Sequence, residues 1–245
     1  MAAMNLPPAP LTCCTPPQAH WPLPVPLVGA LLTSCSFEPD RLAPGDFALA
    51  GIAAPESIQR SVAKRQTEYL AGRLCARAAL AHAGLPVHTP GMGADRAPLW
   101  PQPAVGSITH GDRWAAAIVA DAGQWQGLGL DVESLLAPRR ALRLAEEILT
   151  PAEVARLPKD EAQAALAITL TFSIKESLFK ALYPLVLTRF YFHDAELLDW
   201  SESGDARLRL LIDLPNGWVR DRELQGQFTL MNERLLSLVA VRALR

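Results

Sequence analysis

The spacing of apolar residues in the first part of the chain predicts a strand, a long helix and a small sheet. An apolar run predicts a strand at Leu27–Cys35. Apolar residues at helical spacing, with Ser57 as the N-cap and Gly84 after the last turn, predict a helix over residues 57–83. Period-two alternation then predicts a three-stranded meander, with strands at Ala104–His110, Trp114–Ala120 and Gln126–Glu133.

The same order of elements recurs in the second part of the chain. Helical spacing predicts a helix at Arg139–Leu149, a short helix opened by Thr150–Glu153, and a long helix at Glu161–Tyr183 that stops at Pro184. Four strands are predicted after these helices, at Phe190–Leu198, Arg207–Leu214, Gln227–Asn232 and Leu235–Val241.

This repeated order predicts an α+β fold, a pseudo-dimer of two similar α/β halves. Each half would be a long helix packed on a small antiparallel sheet. We expect the halves to span residues 27–135 and 136–245. Residues 1–26 are rich in proline, and we expect them to lie extended on the surface or to be loose.

Composition narrows the class of protein. Of the 245 residues, 50% are hydrophobic and 20% charged, which suits a packed core, and the net charge of -2 gives no support for nucleic-acid or membrane-surface binding. The N-terminus does not have the pattern of a signal peptide, and no apolar run is long enough to predict a membrane span. The four cysteines form no zinc motif and favour reduced thiols in the cytoplasm: Cys13, Cys14, Cys35 and Cys75.

Two acidic residues on the predicted strand Gln126–Glu133 are the first candidates for chemistry. Asp131 and Glu133 point to one face of the strand, whereas Leu130 and Val132 point to the core. Carboxylate oxygens are the ligands that Mg²⁺ prefers. The alternative is an edge strand that carries two solvated acids.

The long helix of the second half carries a further acid and base on one face. Glu176 and Lys180 lie four residues apart, opposite a core stripe that includes Ile174 and Leu178. Aromatic residues flank the pair, as in the wall of a ligand pocket or a partner contact: Phe172, Phe179 and Tyr183. The alternatives are a plain surface ion pair and a capping box from Ser173 to Glu176.

Two arginines lie on the apolar face of the helix predicted in the first half. A buried guanidinium needs an anionic partner. For Arg65 and Arg73 that partner is either a carboxylate of the chain or the phosphate of a ligand, and the sequence leaves both open.

Taken in order, four blocks of the chain resemble the 4′-phosphopantetheinyl transferases, in particular the bacterial type of enterobactin synthesis. The blocks are Arg65 to Arg77, Trp100 to His110, Gly129 to Glu133, and Phe172 to Leu182. The resemblance implies an enzyme that binds coenzyme A (CoA) between two similar halves. It would move the phosphopantetheine arm to a serine of an apo carrier protein and release adenosine 3′,5′-bisphosphate.

The resemblance also implies a metal site and a base. Asp131, Glu133 and Glu176 would hold Mg²⁺, or Mn²⁺, against the pyrophosphate. Lys175 and Lys180 would neutralise phosphate charge. Glu176 is the first candidate for the base that activates the serine, and Glu153 is a second residue that would assist deprotonation.

For CoA, the resemblance implies a second group of residues. Arg65, Arg73 and His110 would hold the region of the 3′-phosphate, with Thr109 adjacent. Arg96 and Trp100 would contribute to phosphate and adenine binding.

The resemblance also implies a partner protein and an assembly state, and two other functions stay open. The carrier would be an acyl, peptidyl or aryl carrier of fatty-acid, siderophore or polyketide synthesis, and a complete site in one chain favours a monomer. A patch that attracts the carrier would consist of Arg139, Arg140 and Arg143, unless these residues form a plain solvated helix face. The alternative functions are another Mg²⁺-dependent phosphohydrolase and a non-catalytic module that binds CoA or the carrier.

Overall fold

The computed structural model describes residues 11–243, which form two sheets, each covered by one long helix. The α-helices are α1 (Asp46–Ala50), α2 (Glu56–Gln59), α3 (Ala63–His82), α4 (Pro138–Ile148), α5 (Pro151–Ala155) and α6 (Glu161–Val186). The strands are β1 (Gln18–Ala19), β2 (Leu31–Ser36), β3 (Gly91–Met92), β4 (Pro98–Leu99), β5 (Ala104–Gly111), β6 (Trp114–Asp121), β7 (Trp125–Ser134), β8 (Ala195–Trp200), β9 (Asp205–Leu210), β10 (Glu223–Met231) and β11 (Arg234–Arg242).

The first sheet is antiparallel in the order β1-β2-β6-β5, and α3 packs on one of its faces. Leu70 and Cys75 of α3 are fully buried against Ala115 and Ala117 of β6. The alanines of β6 let the helix lie close to the sheet. A separate hairpin, β3–β4, stands beside this sheet.

The second sheet is antiparallel in the order β7-β11-β10-β9-β8, and α6 crosses it. The side chain of Asp160 accepts a hydrogen bond from the Gln163 amide and so caps the start of α6. Ile174 and Leu178 are fully buried against the sheet, which confirms the predicted core stripe.

The two sheets meet along β5 and β7. Leu130 and Leu238 of the second sheet pack against Ile118 of the first. The hydroxyls of Ser107 and Thr109 on β5 accept hydrogen bonds, each of 3.0 Å, from the amides of Leu130 and Val132 on β7. The predicted α+β fold of two helix-and-sheet halves is therefore confirmed.

The predicted meander is wrong in its third strand. β7 pairs along its length with β11, more than a hundred residues later, and not with β6. The turn at 122–124 leads the chain out of the first sheet and into the second. The division of the chain at residue 135 stays a prediction, but the hydrogen bonds of β7 belong to the second sheet.

Two helix boundaries also differ from the prediction. Ser57 lies in the short helix α2, and the long helix begins after Val62, whose extended backbone separates the two. Val62 is 73% exposed and does not join the apolar face. At the other boundary, α6 continues past Pro184 and ends at Val186. The proline has no amide to bond the carbonyl four residues earlier, so the helix loses one hydrogen bond close to its end.

The remaining differences are smaller. The strand predicted at Phe190–Leu198 begins only at Ala195, after a 3₁₀ turn at Phe192–Asp194. Part of the proline-rich segment is fixed, because Cys13 and Leu23 are buried and β1 pairs with β2. The prediction for residues 1–10 lies outside the described residues. Within residues 11–243, no helix is both long and apolar enough to cross a membrane.

Candidate active site at the seam of the two sheets

Close contact between β7 and α6 brings the acidic residues together. Gly127 and Gly129 point toward the helix, and a β-carbon on Gly129 would lie 1.8 Å from the carbonyl oxygen of Ser177. Because side chains alternate along a strand, Asp131 and Glu133 continue on the same face. The two glycines therefore let α6 approach the strand closely enough for its polar residues to reach these acids.

Asp131 is the centre of the site. It is 4% exposed, its Oδ1 accepts a hydrogen bond from Lys180 Nζ at 2.6 Å, and its Oδ2 accepts one from Ser173 Oγ at 2.9 Å. The edge strand with two solvated acids is therefore wrong for Asp131. The capping box at Ser173 and Glu176 is also wrong, because Ser173 lies well inside α6.

Glu133 and Glu176 are half-buried near Asp131 and feel its charge. Burial, together with the charges of Asp131 and Glu176, raises the pKa of Glu133 to about 7. Burial also raises the pKa of Glu176, while Lys180 lowers it and Asp131 raises it further. Carboxylates whose pKa values are raised in this way, beside Asp131, have the donor type and charge that suit a divalent cation.

The carboxylates are nevertheless not gathered around one point. Within residues 11–243, no group of three or more acidic, histidine or cysteine side chains is placed to enclose a metal ion. The Lys180 ammonium lies on Asp131 instead, so a metal would have to share or displace this ion pair.

A second polar cluster lies where α3 faces the end of β5. Arg65 Nη1 is 2.9 Å from His110 Nε2 and 3.4 Å from Glu68 Oε2, and His110 Nδ1 is 3.7 Å from the same glutamate oxygen. Burial lowers the pKa of His110 against the opposing charge of Glu68. Glu68 was missed from the sequence, although its position three residues after Arg65 was a usable signal.

Arg73 lies about two turns further along α3 and has no carboxylate partner within residues 11–243. It is 6% exposed, stacks on the Tyr69 ring at 4.4 Å, and donates from Nη2 to the carbonyl of Gly91. Its Nε is buried without a hydrogen-bond partner in the described part of the chain. Burial lowers the pKa of Arg73. The predicted buried position is therefore confirmed for Arg73 but wrong for Arg65, which is exposed and lies beside Glu68 at the start of α3. Arg73 keeps an unused donor among the described residues.

A cleft of about 450 Å³ opens between the halves next to Lys180. Arg96 and Trp100 line it from the first half, and Tyr183 and Arg189 line it from the second. Gly106 forms its floor, where a β-carbon would collide with the Trp100 ring at 2.7 Å. No sequence pattern pointed to Arg189, which lies in the loop after α6.

A second cavity of about 210 Å³ continues from this cleft past Phe179. Glu176 and Lys175 line it together with aromatic side chains, among them Tyr191 and Phe192. Phe179 and Arg189 belong to the walls of both cavities. An elongated ligand that filled both would pass Lys180 and Glu176.

Lys175 and Glu153 form a buried ion pair of their own. Lys175 is 3% exposed and donates to Glu153 Oε2 at 2.7 Å and to the carbonyls of Ile148 and Phe192. Glu153 also accepts from the amides of Thr150 and Leu197, the former within a capping box. Thr109 also has a partner within the protein, because its hydroxyl accepts a hydrogen bond from the Val132 amide of β7. The roles predicted for these residues stay predictions.

The chain matches two family models in succession. One, described as the 4′-phosphopantetheinyl transferase N-terminal domain, covers residues 54–120, and the other, described as the 4′-phosphopantetheinyl transferase superfamily, covers residues 127–232. The boundary between them coincides with the turn that leads into β7.

Curated relatives agree with these matches. The chain is 35% identical over 178 residues to enterobactin synthase component D of Escherichia coli O157:H7, which covers 73% of this chain and 82% of that protein. It is 38% identical over 178 residues to the 4′-phosphopantetheinyl transferase Svp of Streptomyces mobaraensis, covering 69% and 68%. It is 34% identical over 162 residues to the 4′-phosphopantetheinyl transferase PptT of Mycobacterium tuberculosis, covering 64% and 70%. The chain therefore belongs to the 4′-phosphopantetheinyl transferase superfamily.

Proposed function

We propose that this enzyme transfers the phosphopantetheine arm of CoA to a serine hydroxyl of an apo carrier protein and releases adenosine 3′,5′-bisphosphate. The observation that carries the proposal is the cleft that cationic and aromatic side chains of both halves line, among them Lys180, which pairs with Asp131. CoA would lie across this seam, with its pyrophosphate near Lys180.

The nucleotide end of CoA is proposed to lie on the first-half wall of the cleft, opposite Tyr183 of the second half. Trp100 and Tyr183 offer aromatic surfaces for adenine, and Arg96 offers a cation for phosphate. Arg65, Arg73 and His110 are proposed to hold the 3′-phosphate, with Thr109 keeping β5 in place. The unpartnered Nε of Arg73 supports this assignment, because a buried guanidinium donor is costly until an anion accepts from it.

Asp131, Glu133 and Glu176 are proposed to hold Mg²⁺, with Mn²⁺ an acceptable substitute. When bound, the metal would neutralise charge on the pyrophosphate oxygens. The raised pKa values of Glu133 and Glu176, which burial and the neighbouring acids cause, support this role, since a bound cation would offset both effects. Lys180, which lines the cleft, is proposed to neutralise charge on the leaving phosphate.

The reaction forms one bond and breaks one. The serine Oγ attacks the phosphorus that carries the pantetheine arm, and the bond from that phosphorus to the bridging oxygen breaks, so that adenosine 3′,5′-bisphosphate leaves with the electron pair. Glu176 is our candidate for the base that takes the serine proton. Glu153 is a weaker candidate, because both of its oxygens already accept hydrogen bonds and one faces Lys175.

The carrier is proposed to dock on α4. Arg139, Arg140 and Arg143 are exposed there, beside the exposed Leu142, and none of the ion pairs among residues 11–243 involves these arginines. The charge of Arg140 reaches the active site, where it lowers the pKa of Glu133. An acidic carrier held on this helix would have its serine close to the acids.

Localisation and assembly complete the proposal. Four buried, unbridged thiols support a reducing compartment, and we propose the cytoplasm. Both walls of the cleft come from one chain, which supports a monomer. Pathway membership, in siderophore, fatty-acid or polyketide synthesis, depends on which carrier docks.

Mass spectrometry of a panel of apo carrier proteins, after incubation with the enzyme, CoA and Mg²⁺, tests the proposal. We expect one phosphopantetheine arm on the acceptor serine and one adenosine 3′,5′-bisphosphate per arm. Phosphate release without any carrier would instead identify a phosphohydrolase. CoA binding that ignores Mg²⁺, with no transfer to any carrier, would identify a binding module.

A further inference from the structure

Three serine hydroxyls lie buried behind Asp131. Ser173 and Ser177 are one turn apart on α6, and Ser237 lies on β11 directly opposite Asp131 in the strand register. All three residues are 0% exposed. Ser237 Oγ is 2.8 Å from each of the other two hydroxyl oxygens.

The number of hydroxyl protons fixes the direction of the bond to Asp131, because a carboxylate only accepts. Ser173 Oγ donates to Asp131 Oδ2 at 2.9 Å, and Ser177 Oγ donates to the carbonyl of Ser237 at 3.0 Å. Each hydroxyl has a single proton. The proton of Ser237 is therefore left to be shared between Ser173 and Ser177, and the network presents Asp131 with a donor.

Other hydroxyls of the same helix behave differently. Thr169 and Thr171 donate to the backbone carbonyls four residues earlier, Ala165 and Ala167, at 2.8 Å each. This local bond is the usual choice for a hydroxyl inside a helix. Ser173 and Ser177 instead reach across to β7 and β11, so their bonds join three elements of the fold.

We propose that Ser173, Ser237 and Ser177 are positioning residues that hold the Asp131 carboxylate in the orientation required for the metal. With Oδ2 bonded to Ser173, Oδ1 is the oxygen that meets Lys180, a residue that lines the cleft. Hydrogen bonds that orient a metal-binding carboxylate affect metal affinity about 10–100-fold. The inference rests on the proposed metal-binding role of Asp131.

The test measures binding, not turnover. Mn²⁺ binding to the full chain is followed by electron paramagnetic resonance with CoA present and no carrier, and folding is followed by thermal unfolding without metal. We expect Ser173→Ala to weaken Mn²⁺ binding about tenfold or more. Thr171→Val, which removes a buried hydroxyl of the same helix that does not reach Asp131, is the matched control and should bind as the wild type does.

A double-mutant cycle tests the network itself. Ser237→Ala should weaken Mn²⁺ binding less than Ser173→Ala, and the double variant should lose less than the product of the two effects, because the hydroxyls act through one bond to Asp131. Mn²⁺ binding of folded Ser173→Ala within twofold of the wild type would overturn the inference, as would an equal loss in Thr171→Val. Failure of the wild type to bind Mn²⁺ would overturn the metal assignment of Asp131 and the inference with it.

Discussion

Gly129 on β7 and Ser177 on α6 are in backbone contact, so close that a β-carbon on the glycine would lie 1.8 Å from the serine carbonyl oxygen. This contact sets the distance between the strand that carries Asp131 and the helix that carries Lys180 and Glu176. The acidic motif and the lysine motif therefore depend on a residue without a side chain.

Gly129→Ala should separate β7 from α6. Overpacking of this kind costs about 1–3 kcal/mol of unfolding free energy, and here the obstacle is backbone, which moves least easily. We expect a loss at or above that range in chemical denaturation, with reduced transfer activity. Gly91→Ala is the control, because its nearest neighbour, Leu99, would lie 3.8 Å away. Unchanged stability of Gly129→Ala would refute the tight contact.

Glu176→Gln should separate catalysis from CoA binding. If Glu176 accepts the serine proton, kcat should fall about 10²–10⁴-fold, while calorimetry finds CoA affinity little changed. The rates are measured at saturating Mg²⁺, so that weaker metal binding does not account for the loss. Near-wild-type turnover with normal CoA binding would show that another group is the base.

Arg65→Met should weaken recognition of the 3′-phosphate of CoA. Loss of a hydrogen bond to a charged group costs about 1.5–3 kcal/mol, and we expect the KM for CoA to rise about tenfold or more. The KM for 3′-dephospho-CoA should not change. Lys64→Met, next to it and also exposed, removes the same charge and should have little effect on either substrate. Equal effects of Arg65→Met on both substrates would place Arg65 elsewhere on CoA.

Lys175→Met should reveal whether Lys175 serves folding. Removal of one partner of a buried ion pair leaves the other uncompensated and costs about 3–5 kcal/mol, measured by denaturant unfolding. Addition of Glu153→Gln to this variant should restore part of the loss, because the unpaired charge is then gone. If Lys175 acts mainly on phosphate, the single variant will unfold as the wild type does and bind CoA more weakly.

A triple variant of α4 should bind carrier proteins more weakly. In this variant glutamine replaces Arg139, Arg140 and Arg143. We expect a higher KM for an acidic carrier, a weaker dependence of its association rate on salt, and an unchanged KM for CoA. Glu146→Gln with Glu147→Gln, at the other end of α4, serves as the control of opposite sign. A triple variant with normal carrier kinetics would move the docking surface away from this helix.

Local patterns were sufficient to predict most elements of the fold. Alternation identified the strands that become β5, β6 and β7, and helical spacing identified α6 and its buried stripe at Ile174 and Leu178. These signals lie within one element, so the sequence states them directly. The pairing of β7 with β11 joins segments far apart in the chain, and no local pattern reports such a partner.

The candidate site was predictable in its residue types but not in its contacts. Asp131 and Lys180 were both expected there, yet their direct ion pair depends on how closely α6 packs on β7. The sequence left a carboxylate or a phosphate open as the partner of Arg65 and of Arg73, and among residues 11–243 only Arg65 of the two has an acid, Glu68, within reach. Arg189 lines the cleft just after a left-handed residue, Leu187, turns the chain at the end of α6. A helical pattern cannot predict such a turn.

β5 and β7 are joined by hydrogen bonds from backbone amides of β7 to the hydroxyls of Ser107 and Thr109, not by a ladder of backbone hydrogen bonds. No strand of the first sheet pairs with a strand of the second in the described part of the chain. A chimaera joined before Trp125 therefore has to preserve the two hydroxyls and the apolar contact surface, but no pairing register between the halves. Under the function proposed above, such an exchange of halves between relatives would let recognition of the nucleotide follow the first half and choice of carrier follow the second.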